Sequence, residues 1–203
     1  MAVRILTSIG EAVRPHLTAL ARLRIAVFRD YPYLYDGDMA YEQRYLEAYA
    51  RSRRSVFVLA LDGEEVVGCS TGIPLVDEVP AIQQPFVEQG MTLGQVFYFG
   101  ESVLLPPYRG QGIGHRFFDA RERHARALPG YRWTAFCAVE RAANDPRQPA
   151  GYRSNDAFWI KRGYRRQDDM FCTLDWTETE ALQSTPHRLR FWLRPLDENP
   201  DRP

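Results

Sequence analysis

One stretch at mid-chain, Glu101-Ser-Val-Leu-Leu-Pro-Pro-Tyr-Arg-Gly-Gln-Gly-Ile-Gly-His-Arg116, constrains this chain more than any other. An apolar run of strand type ends at Pro106-Pro107. A loop with glycines at 110, 112 and 114 then opens a long amphipathic pattern from about Gly112. Such a loop bares several backbone N–H groups at a helix N-terminus, where they and the helix dipole can hold a phosphate. The glycines carry no Cβ, so the backbone can approach that ligand closely. A phosphorylated cofactor is therefore expected here.

Three phosphate-binding loops differ in what must follow the glycines. A Walker-type loop requires Gly-Lys and then Ser or Thr, so that an ammonium and a hydroxyl reach the phosphates and magnesium. Ile113, His115 and Arg116 stand in that region instead. A dinucleotide fingerprint starting at Gly110 requires a glycine where His115 stands, and it belongs near the first strand of a βαβ unit. The pattern that fits is Arg109-Gly-Gln-Gly112-Ile-Gly114, or [Q/R]-x-x-G-x-[G/A]. It resembles the coenzyme A loop of the GNAT superfamily of N-acetyltransferases. Leu104, Pro106, Tyr108, Arg109 and Gly110 match the flanking pattern of that family. A second landmark, Asn-x-x-Ala-x-x-Phe-Tyr-x-Lys-x-Gly-Phe, is similar to Asn155-Asp-Ala-Phe-Trp-Ile-Lys-Arg-Gly-Tyr164, with one residue fewer after the Asn.

Bulk properties narrow the class further. The 203 residues suit one domain with a sizeable core, and 26 basic side chains balance 26 acidic ones, which leaves no general electrostatic footprint for nucleic acid or membrane. Cys69, Cys137 and Cys172 are odd in number and far apart, and they read as reduced core residues. His16, His115, His124 and His187 show no metal-ligand spacing, so no metal site is expected. The N-terminus has no secretory apolar region, and no apolar run approaches the ~20 residues of a membrane helix. A cytoplasmic protein is the expectation.

Periodicity supplies the order of elements. Val3 to Leu6 read as a strand. From Ser8 or Glu11 to Phe28 a helix is expected, with Val13, Leu17, Leu20, Leu23, Arg24 and Val27 on one buried face. Tyr31-Pro-Tyr-Leu-Tyr35 is an aromatic loop, and a second helix spans about 39–49 after Asp36-Gly-Asp38. Ser55 to Leu61 and Glu65 to Ile73 form a hairpin around Asp62-Gly63. Residues 74–94 read as an irregular insertion with room for a helical turn, and Gln95 to Leu105 as one strand. The following helix carries Ile113, Phe117, Ala120 and Ala127 toward the sheet, with Arg121, Glu122, Arg123 and Arg126 largely outside. Trp133 to Val139 is a strand buried on both faces, Asp156 to Arg162 a short helix, and Tyr164 to Trp176 a further strand. Residues 177–203 are a tail in which His187 to Leu193 add an edge strand. This β-α-α-β-β-β-α-β-α-β order agrees with the GNAT fold, an α/β domain over residues 1–203. Its twisted, mixed, mostly antiparallel sheet of six to seven strands has helices on both faces. A homodimer is the expected assembly if the C-terminal strand or second helix pairs across a two-fold.

The resemblance implies an acetyl-CoA-dependent N-acetyltransferase acting on a small-molecule or peptide amine. Arg109, Gly110, Gln111, Gly112, Ile113 and Gly114 would take the pyrophosphate. Backbone of Val103, Leu104 and Leu105 would pair with the pantetheine arm, one N–H polarising the thioester carbonyl. An alkyl ammonium of pKa near ~10.4 needs a base. Glu101 is the candidate, because a carboxylate within an apolar run is costly without a partner or a task; a salt bridge to an arginine is the alternative, and Glu140 the reserve base. The position of the family's usual acidic tyrosine is Trp159, whose indole is no useful general acid. Tyr152 is the nearest substitute in sequence, though a packing or cofactor-wall role suits it better, in which case the thiolate leaves without a dedicated acid; Trp159 reads as a cofactor contact. Asn155 either meets the pantetheine or caps its helix. Arg116 and Arg141 are further phosphate candidates. Tyr31, Tyr33 and Tyr35, with Asp36 and Asp38, border the acceptor site or pin the loop. The competing reading is an acyl-CoA-binding sensor with little transfer.

Overall fold

In a computed structural model, residues 3–196 are described, and all their strands belong to one eight-stranded sheet. Strand β1 (Arg4–Ile9) pairs antiparallel with β2 (Val56–Asp62), and β2 with β3 (Glu65–Pro74). The β2–β3 hairpin turns at Gly63, whose φ of 60° is a conformation that glycine adopts without strain. The order continues through β4 (Val96–Tyr98), β6 (Trp133–Val139), β8 (Ser184–Pro195) and β7 (Arg165–Thr177). Only β4 and β6 run parallel; every other pairing is antiparallel.

Helices α1 (Leu17–Phe28) and α2 (Met39–Arg51) cover one face and α4 (Ile113–Ala127) the other. A 3-10 segment, Gly10–His16, precedes α1 and holds Pro15, which has no N–H to continue an α-helical ladder. Asp38 caps α2, its carboxylate accepting from the Tyr41 N–H at 2.8 Å. Alternating strand residues feed two cores. Phe57, Leu59, Cys69 and Val103 pack under α1 and α2, and Val56, Val58, Phe97 and Phe99 pack under α4.

Several expectations change. The single strand over 95–105 is two. Strand β4 ends at Tyr98, and after a break at Phe99–Glu101 the chain resumes as β5 (Ser102–Leu104), which pairs with β3 alone. The expected edge strand of the tail is an inner one. Ser184–Pro195 has β6 on one side and β7 on the other, so β7 forms the edge and β8 has no free side for a two-fold. Residues 197–203 of that tail lie outside the described residues. Within 74–94 sits a nine-residue helix, α3 (Pro80–Glu88), begun by a proline at its first position. Finally, Arg121 and Glu122 are buried, whereas Ala127 is exposed. Both charged side chains find enough polar partners inside to offset their desolvation.

Candidate active site

The break between β4 and β5 creates the site. Tyr98 lies opposite Ala135, and the Phe99 N–H donates to the Ala135 carbonyl at 2.7 Å, the last link to β6. The Gly100 N–H then donates to the Thr71 carbonyl of β3 at 3.2 Å. From there β5 follows β3 while β6 follows β8, so a wedge opens between them. Its β6 wall, Cys137 to Val139, is only partly buried, not covered on both faces as the apolar sequence suggested.

The wedge side of β5 is an open strand edge. The Leu105 N–H donates to Val67 at 3.0 Å and the Thr71 N–H to Glu101 at 3.1 Å, with Val103 opposite Cys69. In an antiparallel ladder these bonding directions repeat every second residue, so the backbone of Ser102 and Leu104 faces the wedge. The Leu104 carbonyl accepts from Arg109 Nε at 3.0 Å. That leaves the Leu104 N–H, and both polar groups of Ser102, directed into the opening.

The glycine loop enters the same region. Gly110 and Gly112 have φ of 76° and 78°, where a side chain would be strained, and nothing lies within 4 Å of where either Cβ would be. Gly112 is the N-cap of α4, and the first bond of the helix runs from the Arg116 N–H to the Gly112 carbonyl at 3.3 Å. The N–H groups of Ile113, Gly114 and His115 precede that bond, so they stay unspent within the helix, as those of any first turn do. Gln111 Nε2 donates to the Pro107 carbonyl at 2.9 Å, and the Tyr108 hydroxyl to Asp62 at 2.8 Å, which ties the loop to the β2–β3 hairpin. Unspent amides at the start of a helix are the arrangement that anions favour. Gly112→Ala is expected to weaken coenzyme A binding by up to about tenfold: the free loop relaxes away from the left-handed conformation, and binding must restore it at roughly 1–2 kcal/mol. Calorimetric titration measures this, and unchanged affinity would contradict it.

A cavity of about 300 Å³ lies at the C-terminal end of β6. Tyr31, Ala138, Val139, Tyr152, Trp159 and Trp192 are among its walls. Trp159 projects from α5 (Asp156–Lys161) and packs on Phe136 at 4.9 Å and Trp192 at 5.1 Å between ring centres. Tyr152 meets Tyr31 edge-on at 4.7 Å, and burial raises its phenol pKa above the ordinary value. The candidate acid, the candidate cofactor contact and one candidate acceptor residue therefore share a cavity. Tyr33 and Tyr35 are placed elsewhere. Tyr33 packs on Phe28 at 4.6 Å and Trp176 at 5.9 Å, and its phenol pKa is raised by burial. Tyr35 pairs through its backbone with Glu178, and burial pushes its phenol pKa up. Asp36 pairs with Arg29 at 3.3 Å on the surface. Asn155 precedes α5 without a side-chain cap; the Asp156 N–H donates to the Ser154 hydroxyl instead, at 3.3 Å.

Glu101 is the last residue of the break and is 8% exposed. Arg24 Nη1 is 2.6 Å from its Oε2, which also accepts from the Tyr45 hydroxyl at 3.0 Å. Arg24 donates to the fully buried Glu42 as well, and lies over the Tyr45 and Phe28 rings at 4.2 and 5.0 Å. The second oxygen of Glu101, Oε1, is buried without a hydrogen-bond partner. Glu140 is differently placed, ringed by Arg166, Arg188 and Arg190 at 3.0–3.2 Å. Neither arginine suggested for phosphate is free. Arg116 donates to the Val3 carbonyl at 3.1 Å, and Arg141 to the carbonyls of Pro32 and Tyr33 while pairing with Glu178.

The mixed sheet thus combines a break between two strands, an open strand edge beside it and a glycine loop at a helix N-terminus. The model of the acetyltransferase (GNAT) family matches residues 20–150, and the chain belongs to that family. No curated relative matches it in sequence. Among solved structures, a GNAT-family acetyltransferase from Staphylococcus aureus Mu50 superposes with a TM-score of 0.61 at 16% identity, covering 97% of this chain and 100% of the other. Arabidopsis thaliana NAA60, in complex with acetyl-CoA, gives 0.59 at 14% identity, covering 96% and 100%. YncA of Salmonella typhimurium, a putative acetyltransferase with its cofactor acetyl-CoA, gives 0.56 at 12% identity, covering 97% and 96%. At such identities the likeness carries the fold alone.

Proposed function

We propose that this protein transfers the acetyl group of acetyl-CoA to an amine by direct attack in a ternary complex. The observation that carries the reading is the open edge of β5 leading into the Gly110–Gly114 loop with its unspent amides, to which Arg109 ties it at the Leu104 carbonyl, while Ala138 and Val139 of the facing β6 wall a cavity. Acetyl-CoA bound there supplies an activated acyl group and a thiolate leaving group. Gly110, Gln111, Gly112, Ile113 and Gly114 hold the pyrophosphate on backbone N–H groups, with the helix dipole adding attraction. The Leu104 N–H donates to the thioester oxygen, where charge grows during attack. Val103 and Leu105 anchor that strand to β3.

Glu101 acts as the base, taking the proton of the acceptor amine on Oε1, directly or through one water. Its other oxygen stays fixed by Tyr45 and Arg24. The amine enters past Tyr31, whose ring faces the cavity. Tyr152 protonates the departing sulfur. Because a thiol of pKa near ~8.5 is a fair leaving group, this help is modest. Tyr152→Phe should therefore lower kcat about tenfold at pH 7, with the gap closing only as the phenol, held above its ordinary value of ~10 by burial, loses its proton. A gap that stays constant with pH would assign Tyr152 to packing.

Initial-rate kinetics test the direct route. Attack within a ternary complex gives intersecting double-reciprocal lines for acetyl-CoA and acceptor, whereas parallel lines would indicate a covalent acyl-enzyme and refute it. A second reading, an acyl-CoA sensor, is favoured by Trp159 standing where the family's acid usually stands. It predicts binding without acceptor-dependent turnover.

A further inference from the structure

Helix α4 buries Ile113, Phe117, Arg121 and Ala125 at four-residue spacing, one stripe on which a single member is charged. Arg121 is 1% exposed, and no carboxylate forms an ion pair with it among the described residues. Its guanidinium is filled by neutral acceptors. Nε donates to the Phe117 carbonyl at 3.4 Å, Nη1 to the carbonyls of Thr71 at 3.2 Å and Glu101 at 3.1 Å, and Nη2 to the Ser102 hydroxyl at 2.9 Å. The rings of Phe99 and Phe118 lie 4.2 and 4.6 Å from its central carbon. Three of these four acceptors lie where the sheet changes partners.

At that point β3 and the break already share bonds, the Gly100 N–H to Thr71 and the Thr71 N–H to Glu101. Arg121 adds a donor to each of the same two carbonyl oxygens. From the opposite face Arg24 holds the carboxylate of Glu101, so residue 101 is gripped by α4 at its carbonyl and by α1 at its side chain. Gly100 permits this crowding: a Cβ there would lie 2.5 Å from the Tyr49 hydroxyl and 2.6 Å from that of Thr71. Helix α4 itself begins at the glycine loop. Eight residues separate Ile113 from Arg121, about 12 Å of helix at ~1.5 Å per residue.

We propose that Arg121 is a positioning residue for acyl transfer. Its fork fixes the break between β4 and β5, and with it the direction of the Leu104 and Ser102 N–H groups, at a set distance from the phosphate loop on the same helix. A lysine, with one compact ammonium, cannot span three acceptors in the way a planar guanidinium does. The inference rests on the reading that acetyl-CoA lies in the wedge with its thioester oxygen at the β5 edge.

Isotope-edited infrared spectroscopy of acetyl-CoA labelled at the thioester carbonyl tests it on the intact protein, alongside calorimetric titration with CoA. In the wild-type complex the carbonyl stretch should fall below that of free acetyl-CoA. In Arg121→Met, CoA affinity should change less than about threefold while at least about half of that lowering disappears, because the loop persists and the donor loses its aim. Arg121→Lys should retain CoA affinity and an intermediate lowering, and it carries the test if the Met variant does not fold. Variants with the full wild-type lowering would overturn the proposal alone. A joint collapse of CoA affinity and lowering in both variants would reduce Arg121 to general scaffolding and also overturn it. Wild-type protein that does not bind acetyl-CoA would refute the underlying reading, and the proposal with it.

Discussion

Glu101→Gln is expected to lower kcat for amine acetylation about 100-fold or more, the usual loss when a positioned base is removed. The change is nearly isosteric, and the amide oxygen can still accept from the Tyr45 hydroxyl. Arg24 keeps Glu42 as its counter-charge, so the local packing has no reason to collapse. What disappears is the carboxylate oxygen Oε1, which has no hydrogen-bond partner and could take a proton. Acetyl-CoA affinity should change less than about threefold, since neither the loop nor the β5 edge is touched, and a fall in kcat without a fall in binding marks an interaction made in the transition state. Steady-state kinetics with parallel calorimetry separate the two quantities. Undiminished kcat would remove Glu101 from the mechanism and leave it a partner of Arg24.

The largest stability effect is expected at Arg24 itself. Its guanidinium is buried between Glu42, which is fully buried, and Glu101, which is nearly so. Removing one member of a buried ionic group leaves the others without compensation, at a cost of about 3–5 kcal/mol. Arg24→Met should therefore lower Tm by roughly 6–20 °C for a domain of this size. Adding Glu42→Gln should recover part of the loss, because it removes one of the stranded charges. Thermal denaturation of the two variants decides this. A loss below about 1 kcal/mol would mean that the group behaves like an exposed pair.

Much of the fold was legible because its signals are local. The glycine loop, the Asp62-Gly63 turn and the apolar runs of β2 and β6 each depend on a few adjacent residues. The break at Phe99–Glu101 was not. Val96 to Leu105 is an unbroken apolar run but for Gly100, Glu101 and Ser102, and what divides it is a change of partner from β6 to β3, which is a long-range property. The inner place of β8 was hidden for the same reason, since strand order depends on pairing across the chain.

The candidate site divides along the same line. Glu101 stood out as a carboxylate in an apolar run and the loop by its glycines, Trp159 and Tyr152 were named only through the family resemblance, and Arg24 was visible as an odd member of the buried face of α1. Arg121 gave the same signal, a cation four residues after Phe117 on an apolar stripe, but charge alone was read as exposure. Tyr45 and Glu42 on α2 carried no signal of their own. Their role follows from facing Arg24 and Glu101. Tyr31, Tyr33 and Tyr35 looked equivalent in sequence, yet only Tyr31 reaches the cavity, because Trp176 and the Phe28 ring hold Tyr33 inside.

The most direct test of acetyl transfer is release of free thiol from acetyl-CoA across a panel of amines, with the acetylated acceptor identified by mass spectrometry. The account predicts thiol release that depends on the acceptor and matches one acetylated amine per thiol. Tight acetyl-CoA binding with no acceptor-dependent release from any amine, small or peptidic, would contradict it and leave a protein that binds the cofactor without transferring its acyl group.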